Sequence, residues 1–158
     1  LSNILIIKDY IIFILMCGFI IFIKWLLGLL SIGFISYGTY YIVNKQDDIS
    51  CANFDLGFIF GIISYILLLI GILFNFTIYH FRPILALGTL CLFGTLGYSG
   101  YMYFTISSEC KELQKNTSSY DAFQYYLLAL AITAFLLIVY YVTRFITNRR
   151  KRQIGNEY

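Results

Sequence analysis

The sequence predicts an all-α, polytopic membrane protein with four transmembrane helices, and both its composition and its apolar blocks point to this class. Of the 158 residues, 60% are hydrophobic and 12% are charged, and the mean hydropathy is +0.80. A chain this apolar exceeds what one water-soluble core can hold, whereas in lipid most of its side chains can face acyl chains. We therefore expect residues 1–158 to form a single transmembrane domain.

Three of the apolar blocks are clear spans, namely helix 2 over 56–79, helix 3 over 84–107 and helix 4 over 123–143. None of them contains Asp, Glu, Lys or Arg. Each is at least as long as the ~20 residues that cross a hydrocarbon core about 30 Å thick. All three are therefore predicted to span the membrane.

The first apolar block, residues 10–43, is longer than one span and contains Lys24. At ~1.5 Å per residue, residues 10–23 cover only about 21 Å, whereas residues 25–43 cover about 28 Å. Helix 1 is therefore predicted over 24–43, with Lys24 at the cytosolic interface, where a lysine can reach the head groups. Residues 1–23 then form an additional N-terminal helical segment, either embedded in the membrane or interfacial.

Two other interpretations of this first block stay open. One is a single long, tilted first helix, which accommodates the excess length without a separate segment. The other is a fifth span over the short first part, which would put the two termini on opposite sides of the membrane.

The charges between the predicted helices indicate the orientation. Eight basic and two acidic residues flank the helices on the side of the termini, against three basic and six acidic residues on the other side. Because basic residues stay in the cytosol, both termini are predicted to be cytosolic, with a basic tail over 144–158. The plasma membrane or another membrane of the secretory pathway is the expected location.

Cysteines and a glycosylation sequence lie in the two predicted outer loops. Cys51 is in the first loop and Cys110 in the second, so the topology places both on the non-cytosolic face, where a disulfide can form in an oxidising compartment. Two unpaired thiols are the alternative. Asn116, in an Asn-Thr-Ser sequence, is a glycosylation candidate on the same face.

Small residues mark candidate surfaces for helix packing, because close contact between helices in lipid relies on small side chains. Gly57 and Gly61 form a GxxxG pair in helix 2, and Gly94, Gly97 and Gly100 follow a three-residue step in helix 3. These glycines are expected either to pack inside the four-helix unit or to form a contact surface for another membrane subunit.

A basic cluster follows helix 4 directly. Its members are Arg144, Arg149, Arg150, Lys151 and Arg152. Near a membrane surface, each such charge attracts anionic lipids by ~1 kcal/mol. Membrane lipids are therefore expected partners, whereas so short a basic run beside a bilayer does not predict nucleic-acid binding.

No pattern of residues predicts catalysis. Transport and proton relays need ionisable groups at membrane depth, and the predicted spans carry none there. His80 has no Cys, Asp or Glu at ligand spacing, and no nucleophile has a base at a suggestive position. We expect no catalytic residue, no metal site and no cofactor.

Four helices, a short inner turn, a cysteine in each outer loop and a basic inner tail resemble the tetraspan plan of tetraspanins and claudins. Lys24-Trp25-Leu26-Leu27-Gly28, with Gly33, is similar to a tetraspanin first helix, although the large second loop with its Cys-Cys-Gly sequence is absent. The resemblance implies topology and no functional site.

Three functions fit these observations. The first is a non-enzymatic scaffold or accessory subunit that packs against other integral membrane proteins. The second is a subunit of an oligomeric channel, in which copies of the chain surround a pore. The third is a supernumerary subunit of an energy-transducing complex in the mitochondrial inner membrane.

Overall fold

The computed structural model describes residues 2–44, 54–77, 82–105 and 118–155, and all of them are helical. The helices are α1 (Ser2–Asn44), α2 (Phe54–Thr77), α3 (Arg82–Thr105) and α4 (Ser118–Gly155). Within these ranges, four helices are long and apolar enough to cross a bilayer. The predicted all-α class with four membrane-length helices is confirmed, and it indicates an integral membrane protein.

Helix α1 is continuous over 43 residues and passes Lys24 without interruption. The backbone thus has one long first helix, without a break between residues 1–23 and 24–43. At ~1.5 Å per residue, it is about 65 Å long, roughly twice the thickness of the hydrocarbon core. How its first half meets the bilayer stays a prediction.

Helix α4 is also longer than a span, because it continues from the predicted range 123–143 through the basic cluster to Gly155. Arg, Lys and Gln are good helix formers, and Gly is common where helices end. The guanidinium of Arg149 lies 4.9 Å from the ring centroid of Phe145, one turn earlier. The basic cluster is therefore held on a helix as far as the structure describes it.

The helices form a bundle in which consecutive helices run antiparallel and α4 returns beside α1. Between α1 and α2, the ring centroids of Phe34 and Tyr65 are 4.1 Å apart, and those of Tyr41 and Phe58 are 4.5 Å apart. As residue numbers rise along α1, they fall along α2. Contacts between α2 and α3 and between α3 and α4 follow the same rule, whereas α2 and α4 meet in parallel across the bundle.

Aromatic rings fill the centre of the bundle. The largest fully buried side chains include Phe58, Tyr65, Phe123 and Tyr126, each at most 1% exposed. On the outward faces, large apolar side chains are exposed, as Leu29 (62%) and Leu90 (71%) show. A bundle with apolar side chains on both its inner and its outer faces suits a lipid solvent.

Candidate functional site

Helices α2 and α3 approach each other closely where they cross. A Cβ atom added to Gly71 would lie 2.8 Å from the Leu85 Cα, and one added to Gly88 would lie 2.9 Å from the Leu68 backbone nitrogen. Leu68 and Leu85 are both buried. Each glycine thus makes room for the backbone of the opposite helix. Gly71 faces Leu85, which lies three residues before Gly88, and Gly88 faces Leu68, which lies three residues before Gly71.

The GxxxG pair of α2 receives a tyrosine from α4. The Tyr126 hydroxyl donates a hydrogen bond of 2.5 Å to the Gly57 carbonyl oxygen. A Cβ atom added to Gly61 would lie 2.7 Å from that hydroxyl oxygen. Gly57 and Gly61 are therefore both buried inside the bundle, where they accommodate a side chain and not a second helix backbone.

Hydroxyl groups in the core bond to one another across helices. Ser64 and Thr95 are 3.0 Å apart between α2 and α3. The Tyr65 hydroxyl lies 2.7 Å from Thr133 Oγ1, which links α2 to α4. The partner of this deep tyrosine is thus inside the bundle. These bonds satisfy polar groups that lipid could not solvate.

The predicted glycines of α3 differ from those of α2. Gly94 and Gly97 are exposed and Gly100 is half-buried, and no described atom lies within 4 Å of a Cβ atom added to any of them. Exposed apolar side chains precede and follow the first two glycines on the same face, namely Leu90 (71%), Tyr101 (66%) and Phe104 (82%). We call Leu90, Gly94, Gly97, Tyr101 and Phe104 the α3 outer face.

Cations gather at the end of the bundle where α2 ends and α3 begins. Lys24 of α1 borders a groove of about 320 Å³ together with Ile72 and Leu73 of α2, and Arg144 of α4 borders a second groove with Leu85 of α3. Arg144 Nη1 donates a 3.0 Å hydrogen bond to the Tyr140 hydroxyl. We call this the basic end of the bundle.

Part of the basic cluster is covered by the protein. Arg149, Lys151 and Arg152 are exposed, whereas Arg150 is half-buried. Among the described side chains, Arg150 Nη1 is the buried nitrogen or oxygen atom that has no hydrogen-bond partner. A buried guanidinium nitrogen of this kind is a donor that an anion can satisfy.

Several predicted residues lie outside the described ranges. These are Cys51, Cys110 and Asn116, so the disulfide and the glycosylation site stay predictions. Within the described ranges, Cys17 and Cys91 are free, half-buried thiols. No group of three His, Cys, Asp or Glu side chains is close enough to hold a metal ion in that part of the chain.

No protein-family model, curated protein or solved structure matches this chain. Its function must therefore be inferred from its own surfaces.

Sequence reasoning did not single out the crossing of α2 and α3 as a site. Gly71 stands alone between apolar residues, and Gly88 follows Ala86 and Leu87, so neither belongs to a GxxxG pair. The available signal was that both glycines lie near the ends joined by the shortest predicted turn, where two antiparallel helices are necessarily close.

Proposed function

We propose that the protein is a non-enzymatic membrane scaffold or accessory subunit that binds other integral membrane proteins within the bilayer. The α3 outer face carries this proposal. Its five residues follow one another at steps of four and three positions, so they lie on one side of the helix. All of them are exposed, and no described atom lies within 4 Å of a Cβ atom added to either glycine.

Two glycines on an exposed helix face need a reason, because each costs roughly 0.5–1 kcal/mol relative to alanine in a helix interior. Gly94 and Gly97 leave a shallow depression between the bulkier Leu90 and Tyr101. Helices in lipid associate through such surfaces, where small residues let the backbones approach. A transmembrane helix of a partner fits this depression, and its own side chains would pack against Leu90 and Tyr101.

The interior of the bundle favours the scaffold over a pore formed by one copy. Tyr65 bonds to Thr133 and Ser64 bonds to Thr95, and aromatic side chains fill the centre of the bundle. A conducting path would need polar groups that face water. The channel hypothesis therefore needs several copies around a shared axis, and the α3 outer face would then be a contact between copies.

The location and orientation form part of the same proposal. Both termini lie in the cytosol, and the membrane is the plasma membrane or another membrane of the secretory pathway. The excess of basic residues at the basic end supports the orientation. Anionic head groups next to Arg144 would add to this preference. Cys51, Cys110 and Asn116 then lie on the oxidising, glycosylated side.

Leucine at the glycines of the α3 outer face should abolish partner binding without unfolding the protein. We expect Gly94→Leu with Gly97→Leu to lose at least about tenfold in affinity, because the added side chains fill the depression. The measurement is extraction from native membranes in a gentle detergent, followed by quantification of proteins recovered in stoichiometric amounts.

The matched control is Gly33→Leu, which adds the same side chain at an exposed glycine of α1 with no described atom within 4 Å of its added Cβ, and it should leave recovery unchanged. The scaffold proposal would be wrong if the wild-type protein were recovered as a lone monomer. The assignment of the α3 outer face would be wrong if the double variant kept its partners.

The predicted bridge between Cys51 and Cys110 can be counted directly. Of the four cysteines, Cys17 and Cys91 should react with a maleimide polymer in the unfolded, unreduced protein, and all four should react after reduction. Cys51→Ser should expose Cys110 and yield three modified thiols without reduction. Four modified thiols in the unreduced wild-type protein would contradict the bridge.

A further inference from the structure

The first half of α1 extends beyond the described ends of α2 and α3 and has an exposed apolar face. We call residues 10–22 the α1 extension. They include no buried side chain, and burial along α1 begins only at Ile23. The exposed large apolar side chains of the extension are Tyr10 (63%), Ile11 (52%), Ile14 (57%), Leu15 (66%), Phe19 (47%), Ile21 (50%) and Phe22 (61%).

With Lys24 at the head-group level, as the sequence predicts, the bilayer is too thin to cover the whole of the α1 extension. From Lys24 to Val43, α1 is about 28 Å long, so this part alone fills the hydrocarbon core. Residues 10–23 add about 21 Å to the helix beyond Lys24, on the side away from the hydrocarbon core. The head-group layer is only about 5–8 Å thick on each side of a bilayer. More than half of the extension therefore lies beyond the lipid.

The neighbouring helices of the bundle cover only one side of it: residues 12, 13, 16, 17 and 20 are half-buried, whereas the apolar side chains named above are exposed. Leu73 of α2 lies beside Lys24, and α2 ends at Thr77, about 6 Å further on. Helix α3 begins at Arg82, one turn before Leu85, which contacts Gly71. Only α4, which runs antiparallel to α1, continues on the same side as far as Gly155.

This part of α4 carries the basic cluster. Four consecutive basic residues, 149–152, point in directions that span about 300° around the helix, so cations flank an approaching ligand on any side. Among the side chains that the structure describes, the only acidic one is Asp121, at the opposite end of α4. The buried Arg150 Nη1, which has no hydrogen-bond partner, adds an unsatisfied donor here.

We propose that the α1 extension and the basic cluster together bind an amphipathic helix with an acidic polar face, supplied by a protein partner on this side of the membrane. The inference rests on the proposed scaffold function and names a second binding surface for it. The apolar face of such a helix would cover Ile11, Leu15 and Phe22, and its carboxylates would pair with the cations of α4.

Two other occupants fit less well. Anionic lipids satisfy the cations but reach only the part of the α1 extension nearest the bilayer. A second copy of this chain could cover the apolar face, but it would place its own cations opposite those of the first copy. The described side chains at this end of the bundle include no carboxylate that could pair with them. A helix with acidic and apolar faces satisfies both requirements at once.

The test uses the full-length protein in nanodiscs of phosphatidylcholine and a labelled peptide of about three heptads that has leucine on one face and glutamate on the other. A twin peptide with lysine in place of glutamate is the charge control. We expect the acidic peptide to bind at least about 100-fold more tightly than its twin, and to lose affinity steeply as salt is added.

Leu15→Ser tests the apolar contact, and Leu29→Ser is its matched control. The two positions are two heptads apart on the same face and are similarly exposed, at 66% and 62%, but only Leu15 lies in the α1 extension. Leu15→Ser should weaken binding of the acidic peptide about tenfold or more, and Leu29→Ser should not change it. Arg149→Gln with Arg152→Gln should also weaken binding about tenfold and reduce its salt dependence.

Equal binding of the two peptides, or equal effects of Leu15→Ser and Leu29→Ser, would overturn the proposal. Absence of binding of the acidic peptide would also overturn the proposal when it is combined with either of the following two results. If adding phosphatidylserine to vesicles increased their binding to the protein, and if Arg149→Gln removed that increase, lipid would be identified as the occupant. A dimer that Leu15→Ser dissociates would identify a second copy. None of these results bears on the α3 outer face, which the co-purification experiment measures separately.

Discussion

Gly88→Leu is expected to prevent α2 and α3 from packing, whereas Gly97→Leu, nine residues later in the same helix, should leave the bundle folded. A Cβ atom at position 88 would lie 2.9–3.1 Å from three backbone atoms of Leu67 and Leu68. Backbone cannot move aside as a flexible side chain can, so the helices must separate. Even Gly88→Ala should destabilise the protein by about 1–3 kcal/mol, and leucine should cost more.

The measurement is the free energy of unfolding in mixed micelles, with loss of helix packing followed by near-ultraviolet circular dichroism. Gly97→Leu should change this free energy little or raise it by about 0.5–1 kcal/mol, because a helical glycine is replaced where space is open. Equal destabilisation by the two substitutions would contradict the arrangement of α3. Gly71→Ala should behave like Gly88→Ala, since its Cβ atom would meet the backbone of Leu85.

Tyr126→Ala is expected to cost about 3–5 kcal/mol of stability, the range for removal of a large buried aromatic side chain. Tyr126 is 1% exposed, and its ring centroid lies 4.7 Å from that of Phe58 and 5.1 Å from that of Phe34. Its hydroxyl also bonds to the Gly57 carbonyl oxygen. One side chain of α4 thus contacts residues of both α1 and α2.

Tyr126→Phe separates the ring from the hydroxyl. It should cost only about 0.6–1.7 kcal/mol, the range for a hydrogen bond between membrane helices. Tyr125→Ala is the control at the neighbouring, 67% exposed position, and its effect should stay within about 0.5 kcal/mol. The same micelle unfolding assay measures all three variants. If Tyr125→Ala destabilised as much as Tyr126→Ala, the rotation of α4 described above would be wrong.

The sequence was sufficient to predict the number of membrane-length helices, because apolar length is the property that a bilayer constrains most. It was not sufficient to predict which glycines face inward. In water, the polar side of a helix reveals its rotation, but these helices are apolar on all sides. Gly61 and Gly97 therefore look equivalent in the sequence, although one contacts Tyr126 and the other has no described neighbour within 4 Å.

The first helix shows a different limit of sequence reasoning. Lys24 predicts a boundary because a lysine is costly in lipid, and the structure does place it in a groove with Ile72 and Leu73, near the end of α2. The backbone nevertheless continues as a helix on both sides of it, since nothing between Ser2 and Asn44 breaks a helix. A membrane boundary and a helix boundary are separate properties, and only the first has a clear signal in this sequence.

Each hydroxyl pair of the core has more hydrogen bonds within reach than protons to form them. Thr133 and Tyr65 both lie within bonding distance of the Ala129 carbonyl oxygen, and they also lie within bonding distance of each other. Ser64 and Thr95 each have a carbonyl acceptor in their own helix, at Phe60 and Cys91, and they also lie within bonding distance of each other. In each pair two protons therefore serve three hydrogen bonds, so the bond between α2 and α3 and the bond between α2 and α4 can each run in either direction.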